Sequence, residues 1–250
     1  MKKHSLVLGI LLSFLSFAQE SNSRYPDGIQ KMFDAHGSYD SWSAMQNLSF
    51  DLLKKDKPTE THTINLKSRK TLIESSEFTI GFDGKEVWMN KDGKFPIERA
   101  RFYHNLYFYF YAMPFVLGDP GIQYSKVKDL NFKGKSYTGF KISYGDNVGD
   151  SPDDNYFIYF DKRTFKMVWL GYTVTYGDDK PSTEIHYIKY TNWVTVNGLL
   201  LPKVLQWFDS KNNLPNRPKS SADFENIKVS RARTNATEFK KPSGALIGEK

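Results

Sequence analysis

From residue 48 onward the chain alternates apolar and polar positions with a period of two. Leu48, Phe50 and Leu52 alternate with Ser49 and Asp51, Ile64 and Leu66 alternate with Thr63, Asn65 and Lys67, and Phe78, Ile80 and Phe82 follow the same rhythm. That period belongs to strands with one face in a core and the other in water. Asp83-Gly84 predicts a hairpin turn with positive φ at both central residues, returning through Val87, Trp88 and Met89. Further hairpins follow: Leu130 and Phe132 turn through Lys133-Gly134 to Tyr137, Phe140, Ile142 and Tyr144. Residues 156–160 and 167–176 flank the Asp161-Lys162-Arg163-Thr164 turn, and residues 185–196 return through Asn197-Gly198 into 199–208. Residues 210–219, rich in Pro, Asn and Lys, predict a loop before a last strand near 224–229. Two short helices precede the strands. Asp27 with Gln30 predicts a capping box for the first, with Ile29, Met32 and Phe33 inward and Gly37 ending it after His36; the second starts at Asp40 or Ser41 with Trp42 and Met45 inward.

Ten or so strands joined by tight turns, with no helix between consecutive ones, predict a mainly β antiparallel meander, and a sheet that long must curl, split or close. One segment breaks the rhythm. Residues 101–117, RFYHNLYFYFYAMPFVL, carry eight Phe and Tyr rings and no charge after Arg101. Pro96 before it and Pro114 near its end bracket a helix, and the spacing Phe102, Leu106, Tyr109/Phe110, Met113 suits one helical face. From Leu106 to the end of the segment the apolar residues run all the way round, which excludes a helix with one face in water. About 12 residues are too few to span a bilayer. The segment is therefore expected inside a fold, on a membrane surface or over an apolar cavity, as a lid or plug on a curved sheet.

The N-terminus changes the setting. MKKHSLVLGILLSFLSFAQE has Lys2 and Lys3, an apolar run from Leu6 to Phe17, and the small residues Ser16 and Ala18, the pattern of a signal peptide cleaved after Ala18. Residues 19–250 then form one exported domain, periplasmic or secreted, with a loose tail from about 240 to 250. The chain has no cysteine, so neither disulfides nor an acylated cysteine anchor it. Without Lys2 and Lys3, 33 basic side chains face 28 acidic ones, spread along the chain except for Lys54, Lys55 and Lys57 and for Lys240 and Lys241. A nucleic-acid binder concentrates such charge, whereas this spread suits solubility or a mild affinity for anionic surfaces.

No reaction is legible in the residues. A nucleophilic hydrolase needs a thiol or a serine held by histidine, and there is no G-x-S-x-G elbow. The histidines His4, His36, His62, His104 and His186 stand too far apart for a metal motif, and no cofactor is implied. His36 reads as a helix C-terminal residue meeting the dipole, and His104 as a hydrogen-bonded structural residue. The carboxylates of residues 146–155 do not fit Ca²⁺-loop spacing and read as a solvated loop, and Asp178 and Asp179 read as a hairpin tip.

The segments FDGKEVWM at 82–89, IYFDKRTFKMVW at 158–169 and VNGLLLPK at 196–203, in that order, resemble the Gram-negative periplasmic lipoprotein carriers, the chaperones of outer-membrane lipoprotein sorting, taken with their uncharacterised relatives. The resemblance implies an unclosed antiparallel β-barrel, concave and apolar inside and covered by helices, that carries acyl chains. It places Trp88 on a half-barrel strand near the ligand and the following helix in the lid. Arg69, Arg99 and Arg101 are the candidates for the arginine that holds such a lid shut.

The expectation is thus an exported, non-enzymatic carrier or binding protein for a lipid, an acylated protein or another hydrophobic molecule, with possible transient membrane-surface contact and no nucleic acid. Trp88, Phe102, Tyr103, Leu106, Tyr109, Phe110 and Met113 are expected to line its cavity, with Arg99 and Arg101 near a head group. The rival expectations are a polysaccharide-binding module, which needs aromatic rings in a solvent-facing row, and a structural or interaction protein whose half-barrel is filled by its own side chains.

Overall fold

A computed structural model describes residues 24–144, 154–174, 182–233, 235 and 237–248. The expected signal peptide, residues 146–153 of the acidic loop expected at 146–155, and the tip at Asp178 and Asp179 lie outside the described residues. Two helices, α1 (Asp27–Ala35) and α2 (Tyr39–Ser43), lead into β1 (Asn47–Lys54), β2 (Glu60–Asn65), β3 (Thr71–Glu74), β4 (Thr79–Phe82) and β5 (Val87–Met89). Helices α3 (Ile97–Tyr111) and α4 (Met113–Val116) follow. Then come β6 (Ile122–Phe132), β7 (Lys135–Tyr144), β8 (Tyr156–Asp161), β9 (Met167–Tyr172), β10 (His186–Val196), β11 (Leu199–Lys211), β12 (Leu214–Ser230) and β13 (Leu246–Gly248). The strands form a single antiparallel sheet in the order β13-β5-β4-β3-β2-β1-β12-β11-β10-β9-β8-β7-β6, which does not close into a barrel. It is two meanders, β1–β5 and β6–β12, joined where β1 pairs with β12. The fold is the mainly β antiparallel meander that the alternation and turn chemistry predict, unclosed and helix-covered as the resemblance implies.

One face of this sheet carries the main core. Leu48, Phe50 and Leu52 of β1, Ile64 of β2 and Phe224 and Val229 of β12 point to it, and the helices fill it. Helix α1 buries Ile29, Met32 and Phe33 as its sequence dictates, but it starts differently from the expectation. Pro26 precedes the first turn, no side chain caps it, and Asp27 and Gln30 instead pair along the helix with Lys31 and Asp34. A proline at this place fixes φ for helix entry and leaves the capping box without its role. Helix α2 has a true cap, Ser38 Oγ accepting from the Ser41 amide at 3.1 Å. Gly37 is held at φ 100° with the Gly198 carbonyl so close that a Cβ would stand 2.1 Å from it.

Three more expectations are corrected. Only Gly84 takes positive φ in the Asp83-Gly84 turn, because the Asp83 carboxylate accepts from the Lys85 and Glu86 amides and so sets the turn. Residues 210–219 are not a loop: β11 and β12 continue through a two-residue turn at Asn212 and Asn213, both at positive φ. Pro215 and Pro218 are tolerated there because β1 ends at Lys54 opposite Ala222, leaving that stretch of β12 unpaired on its other side, and the pairing with β11 slips in register. The expected loose tail is tied down in part. Leu246–Gly248 pairs with β5, and Phe239 is buried under Trp88.

Candidate functional site

Strand parity decides what reaches the helix-covered face. The inward run Leu48, Phe50, Leu52 continues to Lys54, and on β2 the partners Glu60 (opposite Leu52) and His62 (opposite Phe50) point the same way. An apolar floor is thus interrupted by three ionisable side chains at one spot. Lys54 Nζ lies 2.6 Å from Glu60 Oε1, and His62 Nε2 lies 3.1 Å from Glu60 Oε2. The cluster is closed from above by α3: the Tyr103 hydroxyl donates to Glu60 at 2.7 Å and accepts from Lys54 at 2.5 Å. Lys54, noted from sequence only as part of a lysine-rich patch with Lys55 and Lys57, is therefore held inside, only 18% of its side chain exposed.

The electrostatics follow from burial. Burial alone would raise the Glu60 carboxyl, but hydrogen bonds from His62, Lys54 and Tyr103 outweigh it and hold Glu60 below the ordinary range, ionised. Complete burial holds His62 below its usual value despite the Glu60 carboxylate, so the ring is neutral and donates its Nε2 proton, leaving buried Nδ1 without a partner. Burial, and then Glu60, raise the Tyr103 hydroxyl far above its ordinary range, which keeps it protonated as the donor.

Helix α3 carries three stripes. Ala100, His104, Phe108 and Tyr111 face the sheet and are buried; Tyr103, Tyr107 and Phe110 flank them; Phe102, Leu106 and Tyr109 face away, with Tyr109 37% exposed. The flanking stripe continues onto the sheet as a string of rings. Tyr103 meets Tyr107 at 5.7 Å, Tyr107 meets Trp207 of β11 at 6.2 Å, Trp207 meets Phe110 at 6.0 Å, and Phe110 meets Tyr172 of β9 at 5.0 Å. Tyr172 Oη accepts from Trp207 Nε1 at 3.2 Å, and His186 closes the string 5.5 Å from Tyr172. All but Phe110 are half-buried. The string lines the seam between α3 and β9–β11, with the Lys54–Glu60–Tyr103 cluster at one end.

The remaining expected site residues distribute unevenly. Tyr103 and Phe110 belong to the ring string. Phe102 and Leu106 are half-buried on the neighbouring stripe, Tyr109 faces solvent, and Met113 is packed inside the core. Trp88 is on the other face of the sheet. Its neighbours Val87 and Met89 face α3, so Trp88 points away, over Gly81 and against Leu72 and Phe239, donating Nε1–H to the Phe239 carbonyl at 3.3 Å. Arg99 is exposed and Arg101 half-buried in the first turns of α3. Arg69 joins sheet to helices: its guanidinium lies 2.5 Å from Asp119, just after α4, and 5.0 Å from the Phe108 ring centre.

Both histidines singled out in the sequence are structural. His104 Nδ1 hydrogen-bonds the Arg101 carbonyl at 2.5 Å. His36 is neutral rather than a charge against the helix dipole: Nδ1–H donates to the Leu200 carbonyl at 3.2 Å, Nε2 accepts from the Met167 amide at 2.9 Å, and burial lowers its pKa to about 4. Among the described residues no three His, Asp or Glu side chains converge as a metal would need.

Sequence reasoning missed Tyr107, Trp207, Tyr172, Lys54, Glu60 and His62. For the last three the signal was present, since they share the parity of Leu52 and Ile64. For Trp207 and Tyr172 there was none, because only the curl of the sheet brings β9 and β11 beneath α3.

Among solved structures the chain is similar to a DUF1329 family protein from Desulfovibrio piger, at 11% identity and a TM-score of 0.50, covering 86% of this chain and 98% of that one. It is also similar to a LolA superfamily protein from Nitrosomonas europaea (10% identity, TM-score 0.49, 85% and 97% covered). A third similar structure is a putative outer membrane lipoprotein-sorting protein domain from Vibrio parahaemolyticus (9% identity, TM-score 0.45, 84% and 94% covered). At 11% identity the likeness to the first of these is one of fold alone. No curated protein matches the chain. The profile of the family of unknown function DUF6503 matches residues 11–212, and the chain belongs to that family.

Proposed function

We propose that the chain is an exported, non-enzymatic binding protein for a hydrophobic molecule, a lipid or an acyl chain, held in the groove between α3 and β9–β11. The observation that carries this reading is the string of half-buried rings Tyr103, Tyr107, Trp207 and Tyr172, which presents an apolar wall that the protein's own side chains cover only in part. Phe110 extends that wall along α3, with Phe102 and Leu106 on the neighbouring stripe and Arg99 and Arg101 in the first turns of the same helix. Burial contributes about 0.8 kcal/mol per methylene, so a chain of roughly a dozen methylenes binds usefully without a charged contact. Export rests on the pattern of residues 1–18; no helix among the described residues is long and apolar enough to cross a membrane.

A second reading has its own support. Phe108, Tyr111, Met113, Phe115 and Leu117 are packed solidly against Phe50, Phe224 and Trp42, which favours an interaction protein with a filled half-barrel. Glycan stacking is disfavoured, because Tyr109 is the one large aromatic side chain exposed among the described residues. The deciding experiment is organic extraction of the purified mature protein followed by mass spectrometry, with titration of a fluorescent acyl probe. Stoichiometric lipid or saturable probe binding, weakened by Trp207→Ala, supports the groove; no lipid and no probe binding leaves the filled core.

A further inference from the structure

The floor of the helix-covered face is apolar at Leu48, Phe50, Leu52, Ile64, Ile73 and Ile80, yet it carries an ion pair at Lys54 and Glu60. A buried ion pair adds little stability over well-packed apolar residues of the same volume, so folding alone does not account for it. Its position does: it stands at the end of the ring string, where Lys54 remains partly accessible. The ammonium has three protons. Glu60 and the Tyr103 hydroxyl take two; among the described residues the third meets only ring faces, with Tyr103 and Tyr107 centroids 5.1 and 4.9 Å away. One strong donor is therefore left beside the ring string.

The charge of that donor is already balanced. Glu60 is ionised 2.6 Å from Lys54, and His62 is neutral behind it. A ligand carboxylate or phosphate at Lys54 would bring a second negative charge beside Glu60 in a poorly hydrated place, and like charges at such a site repel strongly. A neutral carbonyl oxygen needs one donor and brings no charge. Building on the groove reading above, we propose that the Lys54–Tyr103 cluster seats the uncharged carbonyl of an acyl ester, with the acyl chain laid along Tyr107, Trp207, Phe110 and Tyr172. The class of ligand is a neutral acyl ester in preference to a free fatty acid or an anionic head group held at that point.

The test uses the mature protein and three probes of equal chain length: a fatty-acid methyl ester, the corresponding fatty-acid salt at pH 8, and an alkane, each displacing a fluorescent acyl probe. The wild type is expected to bind the ester about tenfold more tightly than the alkane, the size of one charge-assisted hydrogen bond, and more tightly than the salt. Because Lys54→Met alone leaves Glu60 buried and unpaired, the second arm is the double variant Lys54→Met/Glu60→Leu, which removes the charges together. It is expected to lose some thermal stability, because the His62 Nε2–H and the Tyr103 hydroxyl lose their acceptor, but to retain alkane binding and lose the ester preference. Equal binding of ester and alkane by the wild type, tighter binding of the salt, or an unchanged ester preference in the double variant overturns the seat while leaving the groove intact. Displacement by none of the three probes overturns the groove itself and the seat with it.

Discussion

The central aromatic segment has two halves of nearly the same composition and opposite fates. From Phe108 to Leu117 all but Tyr109 are buried; Tyr111 meets Phe50 and Phe224 at 4.7 and 4.6 Å and Phe115 stacks on Trp42 at 4.6 Å, with Phe110 on the flanking ring string. Residues 102–107 pass over the rim instead, with Phe102, Tyr103, Leu106 and Tyr107 half-buried. The difference lies in what is underneath. Beneath the second half the sheet offers Leu48, Phe50, Val229 and the inward face of α1, an apolar surface that closes round the rings. Beneath the first half it offers Glu60 and His62, and the curl moves β9–β11 to the side rather than below. Ring content alone thus does not distinguish a plug from a roof; the polarity and curvature of the opposing strands do.

The sharpest way to break this contrast is truncation on each side of it. Phe115→Ala is expected to cost about 4 kcal/mol by denaturant unfolding, since it opens a cavity in a fully packed region. Tyr107→Ala is expected to cost far less and to weaken acyl-probe binding instead. Equal destabilisation by the two would erase the distinction between the halves. The next largest effect is a titration in the plug region. His36 has its pKa lowered to about 4 from 6.5, so between those values the unfolded state takes up the proton and the folded state does not. Stability is fully present above pH 6.5 and falls by about 3 kcal/mol as pH approaches 4, with His62 depressed in the same direction. His36→Gln is expected to flatten the pH dependence of the melting temperature over that window. At the roof, Lys54→Met is expected to cost about 2 kcal/mol by leaving Glu60 unpaired, the figure reduced for the partial exposure of Lys54. The smallest effect belongs to the outer stripe: Tyr109→Ser should shift stability by no more than about 0.5 kcal/mol, and a larger loss in thermal unfolding would show that this stripe is covered.

Much of the architecture was written locally. The period-two alternation at Leu48, Phe50 and Leu52, the Asn197-Gly198 turn and the Pro96 boundary of α3 each follow from one short stretch of chain. The candidate site was legible only in part. Tyr103 and Phe110 were singled out because the central segment is so aromatic, and they lie on the ring string; Trp88 lies on the other face of the sheet, and parity within Val87-Trp88-Met89 does not say which face the helices will cover. Lys54 was read by its charge rather than by its parity with Leu52. The tail looked loose from its Pro and Gly content, yet β5 is a sheet edge that needs a partner, and Leu246–Gly248 supplies it. Facts of that kind belong to the assembled sheet and to no single segment.

The junction of β1 with β12 sets an order of events. Leu48 pairs with Val229, so the middle of the sheet depends on residues separated by most of the chain, and contacts of such high sequence separation form slowly. Each meander can begin from its own hairpins, but the floor beneath the helices is incomplete until residue 230 has arrived. A growing chain therefore stays open along its centre line until residue 230 has emerged, and β1 holds an unpaired edge throughout that interval.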